Sequence, residues 1–135
     1  MAREDVVKKW LALVHEDVSA AECMYGGGHW LYVAFLCHQA IEKVLKAYYC
    51  ATHDDDPRYT HSHIRLVDDC GLTDKISDKH LRFMDRMAPM YIEARYPEQK
   101  NQISRLLNET VCLDIINTTK EFTLWIEQLL PNNKL

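Results

Sequence analysis

Glycine and proline are scarce in this chain, with 4 of each among 135 residues. A β-sandwich or barrel needs frequent turn residues, so the scarcity argues against an all-β fold. Positive charge is not in surplus either: 16 Lys and Arg stand against 20 Asp and Glu, a formal net charge of -4. A protein that grips duplex nucleic acid through its phosphates usually carries a basic stripe, and this balance leaves room only for a local basic pocket. Cys23, Cys37, Cys50, Cys70 and Cys112 are odd in number and contain no C-x-x-C pair. They read as reduced thiols in a cytosolic protein. Residues 1–9 are charged and lack the apolar stretch of a signal peptide, and the apolar run 30–37 is far too short to span a bilayer. The expectation is a cytoplasmic protein with no membrane contact.

What the chain does have is helical periodicity, on a composition that is 47% apolar and 27% charged. That suffices for one hydrophobic core, and the length suits a single domain over residues 1–135. Over residues 4–25, Val7, Trp10, Val14, Ala21 and Met24 share one side, and Gly26-Gly27-Gly28 ends the segment. Asp17 points the same way, and a carboxylate on a core face needs a partner. Residues 29–49 make a second helix with Leu31, Ala34, Phe35, Ile41, Leu45 and Tyr48 on its apolar side, and His38 partly so. Gln39, Glu42, Lys43 and Lys46 gather on another face, with Glu42 and Lys46 spaced as an i,i+4 pair.

After a polar loop over residues 53–58, Thr60 reads as the N-cap of a short helix through Ile64, Leu66 and Val67, closed by Cys70-Gly71. The next helix begins at Ser77 or Asp78 and turns Leu81, Met84, Met87 or Ala88, and Tyr91 inward. Pro89 should kink or restart it, and Arg95-Tyr96-Pro97 should end it. A weaker helical segment covers residues 98–107. Asn108 then caps a last helix reaching Leu130, with Val111, Ile115, Thr119, Phe122, Ile126 and Leu129 inward. Leu113, Ile116 and Trp125 fall outside that stripe and predict a surface that meets a second copy of the chain. The expected fold is all-α, an up-and-down antiparallel four-helix bundle with one or two extra short helices.

Four stretches together resemble the HEPN family (higher eukaryotes and prokaryotes nucleotide-binding). They are Trp10 with Asp17 and Ala20-Ala21, then residues 38–47 (HQAIEKVLKA), then Thr60-His61 with Ile64 and Leu66, and finally residues 91–97 (YIEARYP). The resemblance implies a helical bundle that commonly forms homodimers, encoded beside a minimal nucleotidyltransferase as in a toxin–antitoxin pair. Some branches of the family are ribonucleases that carry an Arg followed four to six residues later by His. This chain departs from that pattern, because no histidine follows His80. Arg58 and His63 have the right spacing but lie well before the end of the bundle, where the motif belongs.

The candidate nucleotide-binding residues are Gln39, Lys43, Lys46, His61, Arg95 and Tyr96. Two ammonium groups one turn apart suit a diffuse anion, while the same residues also fit a solvated helix face. His61 either meets a ligand or packs at a helix start. Arg95 and Tyr96 suit a phosphate and a stacked base, or Arg95 pairs with Asp17 across the bundle. His53, Asp54, Asp55, Asp56, His61 and His63 match no closed zinc pattern and read as a flexible acidic loop. No metal or cofactor is expected. The leading expectation is a non-catalytic, homodimeric binding module for a nucleotide, RNA or a nucleotidyltransferase partner. The alternative is a metal-independent ribonuclease using Arg95 with His61 or His63, and a third reading is a purely structural subunit.

Overall fold

The computed structural model describes residues 2–131, and every regular element among them is helical. Helix α1 spans Arg3–Gly26, α2 Trp30–Thr52, α3 His63–Asp69, α4 Asp78–Met87, α5 Pro97–Ser104 and α6 Glu109–Leu129. Ala88–Met90 and Ile92–Ala94 are single 3₁₀ turns between α4 and α5. The expected all-α bundle is thus present. Gly28, at φ 74°, supplies the left-handed backbone that lets α1 fold straight back into α2.

Cross-helix contacts give the direction of each helix. His15 meets Glu127 and Glu22 meets Lys120, so α1 and α6 run antiparallel. Lys79 meets Glu121 and Arg86 meets Asp114, so α4 also opposes α6. Taken with the tight α1–α2 hairpin, the order is up-down-up-down. Helix α2 lies at the centre. Its small residues Ala34, Cys37, Ala40 and Ala47 are all buried and admit close approach of neighbouring helices, and Val33, Ile41, Val44 and Leu45 fill the space around them. From α6, Ile115, Phe122 and Ile126 complete that core.

Several local expectations are revised. Ser62, not Thr60, caps α3, its hydroxyl accepting from the Arg65 N–H at 3.3 Å, while Thr60 Oγ1 accepts from the Ser62 N–H. Helix α4 stops at Met87, since Pro89 removes an amide donor and crowds the preceding turn. Pro97 does not terminate a helix but opens α5 at its first position, where a missing N–H costs nothing. Arg95 therefore lies on extended backbone, φ -104° and ψ 141°, between two elements. On α6, Ile116 is buried and Trp125 packs against the core, leaving only Leu113 of the expected trio exposed. Ile116 and Trp125 widen the internal stripe because α6 is covered by both α1 and α4.

Candidate functional site

Two carboxylates hold the polar face of α2. Lys43 Nζ donates to Asp17 Oδ2 at 2.7 Å, tying α2 to α1. The expected Arg95–Asp17 pair is replaced by this one, because Asp17 faces its hairpin neighbour. Lys46 Nζ donates to Glu42 Oε2 at 3.0 Å, and both side chains are less than a tenth exposed. Lys46 also lies 5.8 Å from the Trp10 ring and 5.9 Å from the Tyr59 ring, so its charge is covered on two sides by aromatic faces. The polar face of α2 is therefore largely covered. It is an internal ion-pair layer.

The other oxygen of Glu42 reaches further. Oε1 accepts from His61 Nδ1 at 2.8 Å, and the His61 ring stacks on Tyr91 with centroids 3.9 Å apart and planes 18° from parallel. Because an ionised carboxylate only accepts, Nδ1 carries a proton and donates it to Glu42. His63 lies beneath. Its Nε2 donates to the His38 carbonyl at 2.9 Å, and the two rings are 4.0 Å apart. Burial first, then the charges of His63, His61 and Arg95, push His38 down to about 2. His63 is lowered to about 4 by burial, against the raising effects of its bond to the His38 carbonyl and of Glu42. Both are neutral imidazoles at physiological pH.

Arg95 completes the group. Arg3, Arg58 and Arg86 each hold a carboxylate, on Asp56, Asp69 and Asp114. Among the described residues no carboxylate pairs with Arg95, although it is half-buried where Arg65, Arg82 and Arg105 are exposed. Its Nε is fully buried without a hydrogen-bond partner, as are Nδ1 of His38 and of His63. Arg95, His61, His63, Tyr91, Ile64 and Met84 line one cavity of about 290 Å³, together with Asp85. A larger groove of about 490 Å³ runs between α1 and α6, but its histidine, His15, is already bound to Glu127 at 2.7 Å. None of the buried unpartnered polar atoms belongs to a residue of that groove, so the smaller cavity is where unsatisfied chemistry lies.

Of the six residues read from sequence, the cavity gathers His61 and Arg95, and it adds His63 from the alternative set. Lys43 and Lys46 are engaged by carboxylates and do not line it. Tyr96 is 78% exposed outside it, and Gln39 is half-buried on α2. The acidic loop is pinned, since Arg3 donates to the backbone carbonyls of Cys50, His53 and Asp55, and the Tyr49 hydroxyl bonds the Asp55 carboxylate. Sequence reasoning missed Glu42 as the anchor of His61, and His38 and Tyr91 as its surroundings. The signal was present in the HQAIEKVLKA and YIEARYP stretches, but nothing in the sequence placed them side by side.

The fold is thus a helical bundle with a histidine–arginine cavity at one face. The HEPN domain family matches residues 7–129, almost the whole chain, and the chain belongs to that family. Among solved structures, the chain is similar to the crystal structure of TT1696 from Thermus thermophilus. The TM-score is 0.75 at 18% identity, covering 90% of this chain and 96% of that one. At that identity the likeness shows the fold alone. No curated protein matches the chain. Among the described residues, no helix is long and apolar enough to cross a membrane.

Proposed function

We propose that this HEPN chain is a binding module that takes the phosphate of a nucleotide or of RNA in the cavity lined by Arg95, His61 and His63. The observation that carries the reading is Arg95 itself: half-buried, with a buried Nε that has no partner and no carboxylate paired with its guanidinium. A buried donor left unmade is costly, and an incoming phosphate would satisfy the guanidinium with paired, charge-assisted bonds. Lys43 and Lys46 serve the fold in this reading. Titration calorimetry with AMP, GMP and a short RNA tests it. Binding that weakens in Arg95→Ala and survives in Tyr96→Ala supports it, and no binding by wild type at millimolar concentration removes it.

A second reading is favoured by one specific feature, the Glu42–His61 bond that orients an imidazole beside an arginine. That pairing suits metal-independent cleavage of a phosphodiester, with His61 moving the proton and Arg95 holding the phosphate. Incubating labelled RNA with the pure protein in EDTA separates the two readings. Cleavage abolished by His61→Asn supports catalysis, and intact RNA leaves the binding module. The homodimer that the family resemblance implies would use α6, where Leu113 and Leu124 are both exposed on one side, about three turns apart. A nucleotidyltransferase partner would meet the same side of α6.

A further inference from the structure

We propose that Asp85 reads the base of the bound nucleotide, and that the base it selects is guanine. The inference rests on the phosphate-binding reading above and names the ligand more closely. Asp85 is exposed and lines the Arg95 cavity together with Met84 and Ala88. The three reach it on one face, because positions three and four apart on a helix are neighbours. Among the described residues Asp85 is the one acid lining this cavity, and it pairs with no cation. Its neighbour Arg86 is held by Asp114 of α6 at 3.3 Å, and Arg82 lines a separate groove on that side of α4. Asp85 and Arg95 therefore bring opposite charges to one cavity of about 290 Å³ without pairing, which leaves both free for a ligand.

An acid in a phosphate-binding cavity repels the anion unless the ligand also brings donors for that acid. An ionised carboxylate only accepts, and its two oxygens suit two N–H groups side by side. Among the four RNA bases guanine alone presents that pair, its N1–H beside its 2-amino group. Adenine and cytosine set a ring-nitrogen acceptor beside the amino group, and uracil flanks its one N–H with two carbonyls. Each of these turns a lone pair toward the carboxylate. The rest of the lining suits the faces of a purine. Ile64, which is 43% exposed, Met84 and Ala88 offer apolar contact and make no demand on the polar edge of the ring.

The test titrates GMP, IMP and AMP into wild type, Asp85→Asn and Arg95→Ala by calorimetry. Wild type should bind GMP about ten- to a hundredfold tighter than AMP, the range for a hydrogen bond to a charged group. IMP keeps N1–H but lacks the amino group, and should fall between them. Asp85 is exposed and holds no ion pair, so Asp85→Asn should melt at the wild-type temperature. In that variant GMP should drop to the level of AMP, while AMP binds no more weakly than to wild type because a repelling charge is gone. Arg95→Ala should weaken all three and keep their order. The pentamers UUGUU and UUAUU distinguish the source: the same preference there supports a base within RNA, and a preference confined to mononucleotides supports a free nucleotide. Equal affinity of wild type for GMP and AMP, or a preference for GMP that survives Asp85→Asn, would overturn the proposal and leave phosphate binding intact. Failure of every nucleotide and pentamer to bind would remove the phosphate-binding reading and this inference with it.

Discussion

Lys43 Nζ lies 2.7 Å from Asp17 Oδ2 across the α1–α2 hairpin, so Asp17 is engaged by α2 and not by Arg95. Asp17 is 13% exposed and Lys43 20%, so water screens the pair only in part. Asp17→Ala strands the ammonium and should cost about 2–3 kcal/mol, the scale of a charge-assisted bond with partial desolvation. Asp17→Asn should cost less, since its amide oxygen still accepts. Urea denaturation checks both, and a loss under about half a kcal/mol for the alanine variant would place Asp17 in solvent.

Glu42 supports two cations from a more buried position, and its removal should cost more. Glu42→Ala leaves Lys46, 7% exposed, charged and unpaired inside the bundle, with an expected loss of about 3–5 kcal/mol. The double variant Glu42→Leu, Lys46→Met removes both charges and should recover much of that loss. If the double variant is no more stable than Glu42→Ala, the ion pair is not what sets the cost.

Acid should loosen the fold through two histidines. Both are neutral and buried, with His38 lowered to about 2 and His63 to about 4 from an ordinary 6.5. The unfolded chain takes up protons near 6.5 that the folded chain refuses. Stability is therefore full above 6.5 and falls as pH drops toward 4, by up to about 1.4 kcal/mol per pH unit for each histidine. Below about 4 only His38 adds to the decline. Urea midpoints measured from neutral pH down to about 5 should show this slope, and His63→Phe should remove roughly half of it, leaving the part due to His38. An unchanged midpoint over that range would show that neither imidazole is kept neutral.

Assembly is checked on α6. Leu113 is 45% and Leu124 54% exposed. A homodimer through that face should appear by light scattering at micromolar concentration, and Leu113→Glu with Leu124→Glu should return a monomer of unchanged helicity. A monomer mass for wild type over a hundredfold dilution series would remove the dimer.

The helical periods, the cap at Asn108 and a helix start at Ser77 or Asp78 were legible because short-range chemistry decides them. Asn108 Oδ1 accepts from the Val111 N–H at 2.9 Å, as its place ahead of an apolar stripe implies. Pro97 shows where local rules divide. A proline ends one helix and starts another with equal right, and the choice fell to Pro89, which had already stopped α4 at Met87. The candidate site was half legible. His61 and Arg95 stood out by residue type, but Glu42 looked like an ordinary surface partner of Lys46. Only the third dimension shows its second oxygen on His61, 19 positions away. Lys43 and Lys46 misled for the complementary reason: i,i+4 spacing reveals a shared face, not whether that face is covered.

The most direct test of the account is a calorimetric titration of AMP and a short RNA into wild type, Arg95→Ala and Lys46→Met, with thermal melts on the same three proteins. Arg95→Ala should fold as well as wild type, because it breaks no ion pair, yet lose about 1.5–3 kcal/mol of ligand affinity. Lys46→Met should lower the melting temperature and leave ligand affinity nearly unchanged. The opposite pattern, in which Arg95→Ala destabilises the fold while its ligand affinity matches wild type, would contradict the assignment of Arg95 as the phosphate-binding residue of this HEPN chain.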